Sequence, residues 1–319
     1  MRHTIPLSPE VLHGVFSRDT APVLTVDSGD SVVLSTLDAW WSDEAFSAEY
    51  APRARVEHPH ARRGHALTGP IAVRGLGPGG TLEIGVERLV PAGHGFTECG
   101  GFAWPHFDRL GVGDGPRRML LWEIGAAEAR TTLSSGRRVT VPVRPFLGVM
   151  GMPPAEGGEH STTPPRVTGG NLDCTLLTPG ATLFLPVAVP GGMLSVGDGH
   201  AAQADGEMSN NGIECAMREV VLTLIAHARC PFDLATPCPV VRLAAQGGKP
   251  TSYAVLGLGA TLDDALYACG NGLLDLMVGM LRCTRTEALG LASLTANFRI
   301  TQAVNGTKGV HAVWSAPER

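Results

Sequence analysis

The residues from Gly197 to Glu207 gather side chains able to hold a metal ion. Asp198, His200, Asp205 and Glu207 follow Gly197 and are separated only by Gly199, Ala201, Ala202, Gln203, Ala204 and Gly206. Asp198 and His200 stand two apart, so on an extended strand both point the same way. Asp205 and Glu207 repeat that spacing. The small residues between them let backbone and side chains approach one centre. A carboxylate with an imidazole suits Zn²⁺ or another first-row dication, and a further carboxylate would serve as general base. Asp-Gly pairs are also common turn formers, and a turn with a surface histidine explains the same residues equally well.

Two other stretches carry ligand types. In Gly169-Gly170-Asn171-Leu172-Asp173 the glycines permit unusual dihedrals, and Asp173 offers another ligand; a plain turn competes with that reading. His58, His60 and His65 lie close in sequence, and His65 is the strongest of the three because Thr68-Gly69-Pro70 after it launches a strand. An exposed loop accounts for all three as well. Cys99 is a nucleophile only if its thiol is activated, and a structural role is the plainer reading. Gly-x-Ser-x-Gly, a supported Ser-x-x-Lys and His-Glu-x-x-His are absent. The glycine-rich Gly75–Gly80 lies between strands rather than before a helix, which argues against a phosphate-binding loop.

The elements that must position these residues are mostly strands. The 41 glycines and 24 prolines in 319 residues disfavour long helices. Residues 22–26 and 31–36 read as a hairpin across Asp27-Ser28-Gly29-Asp30. Residues 70–74 and 81–90 repeat the pattern, and 119–124 and 139–141 add further strands. Residues 40–63 form a long loop, of a length often tied to function. The proline-rich stretch 142–172 reads as a folded-back active-site loop rather than a linker. Residues 181–189 and 193–197 are strands. Residues 213–226 fit a helical period and a buried strand alike. Thr261–Leu281 is the clearest helix, opening on a Thr261/Asp264 capping box, and Thr286–Ala296 is a second. Residues 298–304 and 310–314 form a hairpin around Asn305-Gly306.

The net charge of −5, with no basic stripe interleaved with aromatics, excludes a nucleic-acid footprint. The arginines between Arg53 and Arg63 read as a solvated loop in preference to an anion site. Only 17% of residues are charged, which points to a homo-oligomer, dimer or higher. Seven cysteines without CxxC spacing imply a reducing cytoplasm. Met1–Pro6 has no apolar stretch, so no secretory leader is expected, and no run of 18 apolar residues spans a membrane.

Taken together, the chain resembles the acetamidase/formamidase family nearly end to end. The resemblance starts at Pro22-Val23-Leu24-Thr25-Val26 and runs through His65-Ala66-Leu67-Thr68-Gly69-Pro70. It is strongest over Pro145–Gly151, Thr163-Pro164-Pro165-Arg166, Gly169–Asp173 and Gly197–Glu207. It implies an α+β fold, predominantly β, with a sandwich- or barrel-like core and a few C-terminal helices. It implies one domain over 1–319, divisible into a β-rich part (1–145) and a part bearing the metal site (146–319). It favours a strand over 213–226. It also implies an oligomer hydrolysing formamide- or acetamide-like substrates to acid and ammonia with a divalent metal, zinc first. On that reading Asp173, Asp198 and His200 hold the metal, with His65 a further ligand. Glu207 or Glu214 moves the proton, and Asn171 or backbone N–H groups stabilise the oxyanion. Where the family usually has glycine this chain has Ala204, which would be unfavourable in a left-handed conformation. Trp40-Trp41 and the region 103–118 could reshape the pocket. Two alternatives stand beside this reading: a metal-free amidase using Glu207 or Cys99, and a non-catalytic protein binding a small amide or sugar.

Overall fold

The structure, a computed structural model, describes residues 1–61, 63–244, 247 and 251–316. Two large sheets share one core. The nine-stranded sheet runs in the order Arg2–Thr4, Asp30–Thr36, Met217–His227, Thr81–Pro91, Thr182–Pro186, Val240–Arg242, Ser252–Gly259, Lys308–Ser315 and Ala296–Gln302. The six-stranded sheet runs Gly169–Asn171, Phe146–Gly151, Leu194–His200, Leu67–Val73 and Leu12–His13, with Leu24–Val26 also paired to Leu67–Val73. Ile71, Leu147 and Val196 of the second sheet share a core with Val32, Ile84 and Leu222 of the first. A four-stranded sheet of His94–Cys99, Arg118–Ile124, Glu128–Thr132 and Arg138–Pro142 flanks them. The expected sandwich-like, mostly β architecture holds. The sheets do not close into a barrel, since the larger one ends on two different strands.

The three central strands of the six-stranded sheet, Phe146–Gly151, Leu194–His200 and Leu67–Val73, are buried at every residue. Such strands are covered on both faces. The stretch expected as an active-site loop therefore opens with a central strand, Phe146–Gly151. Its apolar run Phe146-Leu147-Gly148-Val149-Met150 is short enough to be hidden among the surrounding prolines.

The two N-terminal hairpins are not hairpins. Leu24–Val26 pairs in parallel with Leu67–Val73, whereas Asp30–Thr36 pairs with Met217–His227 in the other sheet. Likewise Leu67–Val73 and Thr81–Pro91 lie in different sheets. Turn residues mark a reversal of the chain, but the partner of each strand is chosen by burial elsewhere. Met217–His227 resolves the ambiguous stretch as a strand, paired on both sides. The strand Glu128–Thr132 was not anticipated; only Ala129 and Thr131 of it are buried.

The helices behave as their sequence predicts. Leu262–Leu281 opens on a capping box in which the Thr261 side chain accepts from the Asp264 N–H and Asp264 answers the Thr261 N–H. Arg285–Thr295 opens on a second box, Thr284 with Glu287, one residue before the expected start. Leu273, Leu276 and Met277 pack on Val255, Ala312 and Trp314 of the sheet beneath. The 296–302 and 308–315 strands pair antiparallel as expected. No helix among the described residues is long and apolar enough to cross a membrane.

Candidate functional site

Three adjacent strands of the six-stranded sheet build the site. Phe146–Gly151 pairs with Leu194–His200 on one side and with Gly169–Asn171 on the other. Its register sets Phe146 opposite His200 and Leu147 opposite Gly199, which brings Gly148 level with Asp198. Asp173 follows Gly169–Asn171, and the N–H groups of Leu172 and Asp173 both donate to the Gly148 carbonyl (2.9 and 3.2 Å). Gly148 is thus the hub. A Cβ there would lie 2.4 Å from Asp198 Oδ2, 2.7 Å from Asp173 Oδ1 and 2.8 Å from His200 Cε1. Only glycine leaves that space open.

Ligand atoms of Asp173, Asp198 and His200 lie within 4.8 Å of one another, and all three residues are buried. His200 Nε2 lies 2.7 Å from Glu214 Oε1, and its Nδ1 lies 3.9 Å from Asp173 Oδ1. Nδ1 of His200, Oδ1 of Asp173 and Oε2 of Glu214 have no hydrogen-bond partner, and neither does Asn171 Oδ1. Buried polar atoms are normally paired, so four orphans in one place need an explanation. The donor set supplies one. Two carboxylates and an imidazole, converging on space that a Cβ would fill, fit a divalent cation in chemistry and in room. His65 borders the same group: its Nε2 is 4.0 Å from Asp198 Oδ2, and its Nδ1 is 2.9 Å from Thr162 Oγ1.

Electrostatics agree. Burial, then the Asp198 charge, pushes the Asp173 carboxyl up to about 7. Burial, with Asp198 adding to it against the pull of His200, pushes Glu214 up to about 8. Burial and the neighbouring Asp173 lift Glu207 well above the usual carboxylate range. Burial alone would lower the His200 imidazole, but Glu214, Asp198 and Asp173 outweigh it and raise it to about 10. Too many negative charges share too little water, which is the condition a bound dication relieves.

The backbone is strained at the same residues. Asp173, Asp198 and Glu207 have φ of 47°, 56° and 50°. A short aspartate tolerates the left-handed region, whereas glutamate has no such help. Each such conformation costs about 1–3 kcal/mol and persists only where its surroundings over-determine it. The left-handed positions of the 204–207 loop are Gly206 and Glu207, so Ala204 meets no penalty of the kind its replacement of glycine suggested.

The cavity above the cluster has a volume of about 350 Å³, and its lining includes His65, Asn171, Asp198, His200, Glu207 and Glu214. Asp173, fully buried, lies beneath. Every residue assigned to the site from sequence is therefore gathered in one place. Asn305 is the member that sequence reasoning missed. It is buried, and its Nδ2 donates to Asp173 Oδ2 (2.7 Å) and Glu207 Oε2 (3.1 Å). Its Asn-Gly context reads as a hairpin turn and nothing more. Other candidates fall away from the cluster. Asp205 accepts from Thr175 Oγ1 (2.7 Å) and faces Arg299 (3.4 Å). His58 stacks on Trp41, and His60 faces Glu159. Cys99 donates its thiol to the Thr97 carbonyl, and burial raises its pKa, the reverse of an activated nucleophile. Arg53 is not solvated: its side chain is 3% exposed and paired with Asp38 at 2.6 Å. Arg62 of the same patch lies outside the described residues.

A profile of the acetamidase/formamidase family matches residues 155–227, the stretch that carries Asn171, Asp173, Asp198, His200, Glu207 and Glu214. An acetamidase from Bacillus halodurans is 26% identical and superposes with a TM-score of 0.80 over 98% of this chain and 97% of that one. Residues 155–227 thus match the acetamidase/formamidase family, and the whole chain shares the fold of solved acetamidases. An acetamidase from Yersinia enterocolitica shares the fold, with a TM-score of 0.81, 23% identity and coverage of 99% and 92%. A putative formamidase from Schizosaccharomyces pombe is 24% identical over 62% of this chain. That match spans 60% of the curated relative's length. In family terms, the matched segment holds the cluster, while Gly148, His65 and Asn305 reach it from outside.

Proposed function

We propose that this protein is a member of the acetamidase/formamidase family and hydrolyses a carboxamide to the acid and ammonia at a divalent-metal centre. Asp173, Asp198 and His200 would hold the ion, with His65 as a further donor. Zinc suits two carboxylates and an imidazole, with a position left over for substrate. When bound, the ion supplies Lewis acidity to the amide carbonyl and eases deprotonation of water. The observation that carries this reading is the open cradle at Gly148, faced by the orphaned Asp173 Oδ1 and His200 Nδ1.

The protein's own residues divide the remaining work. Glu214 lies 2.7 Å from His200 Nε2 and, with an ion bound, would accept the Nε2–H and leave Nδ1 as the ligating nitrogen, the usual role of a carboxylate behind a ligating histidine. Its Oε1 also accepts from the Gly212 N–H (3.0 Å), which fixes its position. Glu207 then fits best as the proton carrier. It borders the cavity, Asn305 holds it beside Asp173, and its raised pKa lets it accept a proton from water and return it to the leaving nitrogen. Asn171 borders the cavity too and would steady the developing oxyanion through its amide.

Metal analysis with an ammonia-release assay tests this directly. Chelation should abolish release from an amide panel, and added Zn²⁺ should restore it. Full release by metal-free protein would overturn the metal's part. Release from no amide would favour a small-ligand-binding role instead. An oligomeric, cytoplasmic protein is proposed with it. The exposed Leu289, Leu294, Phe298 and Ile300 support the first, and the free state of all seven cysteines supports the second. Strands from residues 2–91 and 182–315 interleave in the nine-stranded sheet, which supports a single domain.

A further inference from the structure

The cavity is far larger than the amides for which the family is named. Formamide and acetamide displace roughly two to three water volumes of about 30 Å³ each. The cavity has about 350 Å³, a size that receives considerably larger ligands. Three aromatic side chains share its lining with the polar cluster: Trp40, the buried Phe96, and Trp104, which is 45% exposed.

This aromatic wall is braced rather than incidental. Trp40 packs on Phe96 with ring centroids 4.8 Å apart and on Phe46 at 5.8 Å; Phe46 meets Phe96 edge-on at 5.2 Å. The Arg53 guanidinium sits over Phe46 at 4.0 Å and within 5.2 Å of Phe96. Its Nη1 is tied to Asp38 Oδ2 at 2.6 Å and to the Glu44 carbonyl at 2.7 Å. Its Nε and Nη2 have no hydrogen-bond partner, as expected for a cation spending its charge on ring faces. Asp38 Oδ1 also accepts from the N–H groups of Trp40 (2.9 Å) and Ser42 (3.2 Å). One carboxylate thus fixes both the cation under the wall and the backbone that carries Trp40. At the rim, Trp104 stacks on Phe107 (5.7 Å, 7°), and His106 Nε2 donates to the Met208 carbonyl at 2.8 Å, fastening this segment to the loop after Glu207.

From this wall we infer that the physiological substrate is a primary amide with an aromatic acyl group, its ring seated against Trp40 and Phe96. The inference rests on the amidase reading of the same cavity. The reaction is the same: water oxygen bonds to the carbonyl carbon, the C–N bond breaks, and the nitrogen leaves as ammonia with the water's proton. A flat ring against tryptophan adds stacking that acetamide cannot make. Trp40 is then the specificity-determining residue.

The holoenzyme should hydrolyse phenylacetamide with kcat/KM about tenfold or more above acetamide, since stacking of this kind is worth roughly one factor of ten. Trp40→Ala should lower the phenylacetamide-to-acetamide ratio about tenfold, chiefly through KM, and Trp40→Phe should restore most of it. Equal or higher kcat/KM for acetamide overturns the inference, as does a Trp40→Ala variant that slows both amides alike. If no amide releases ammonia, the amidase reading fails, and calorimetry with phenylacetate and acetate reads the acyl wall alone. Phenylacetate about tenfold tighter than acetate, a margin lost in Trp40→Ala, supports it. Equal affinities overturn it.

Discussion

The helical layer and the six-stranded sheet use acidic residues in opposite ways. In the helices, Asp264 and Glu287 are exposed, each closes a capping box, and each meets N–H donors at a helix start. At the sheet, Asp198 on its strand and Asp173, Glu207 and Glu214 on the adjoining segments are buried together, two of them bear orphaned oxygens, and three of them sit at positive φ. The first arrangement satisfies local rules and contributes stability. The second breaks three of them at once, which a fold tolerates where the strained groups serve a ligand.

The largest effect should come from neutralising one acid in each place. Asp198→Asn keeps a residue that accepts the left-handed backbone but removes a charge that pushes up both Asp173 and Glu214. Amide hydrolysis should fall at least ~10³-fold, about 4 kcal/mol of transition-state stabilisation. The metal-free variant should nevertheless melt higher than metal-free wild type, because like charges no longer crowd the cavity. Asp264→Asn should melt lower, since it weakens a cap. Melting curves on chelated protein decide this. Both variants shifting the same way would remove the contrast.

The same contrast separates what could be read from sequence from what could not. The helix 262–281 was readable because its signals are local: an apolar period and a cap three residues apart. The Asp198/His200 pair was readable for a similar reason, as a two-residue spacing on a strand. Strand partners were not, because Leu24–Val26 and Asp30–Thr36 look alike until burial sends them to different sheets. Gly148 was invisible as well: it acts by having no side chain, and only the register across from Asp198 gives that meaning. Asn305 was hidden by its own turn signal, since Asn-Gly explains a hairpin without any further role. Residues whose work depends on distant partners carry no local mark.

A second test concerns His13, a neutral buried group in the six-stranded sheet. Burial holds its imidazole down to about 4. Its Nδ1–H donates to the Val15 carbonyl at 2.7 Å, which leaves Nε2 to accept from the Ser195 hydroxyl at 2.9 Å. Protonation would turn that acceptor into a donor. In the unfolded chain the ring titrates near 6.5, so above that pH its contribution is fully present. As pH falls from 6.5 towards 4 the unfolded chain takes up a proton that the folded one refuses, and stability on the order of 3 kcal/mol is lost. Denaturant titrations of wild type and His13→Gln at pH 7 and pH 4.5 should converge at the lower pH. Parallel curves would show that another group sets the acid limit.

The smallest effect sharpens the comparison most cleanly, because it touches one hydrogen bond. Thr261 accepts the Asp264 N–H through its hydroxyl at 3.1 Å, and that hydroxyl also donates to Asp264 Oδ2 at 2.7 Å. Thr261→Ala should cost about 1 kcal/mol, the usual worth of an N-cap. The loss should appear in global stability and leave kcat/KM of the folded enzyme unchanged, since the helix packs on the 252–259 and 308–315 strands, away from the cavity. There is one route by which it could reach the site. The 308–315 strand is joined through the turn at Asn305 to the donor that holds Asp173 and Glu207. If Thr261→Ala lowered kcat/KM together with stability, the helical layer would be part of what aligns Asn305. The division between a layer built for stability and a sheet built for chemistry would then fail at that turn.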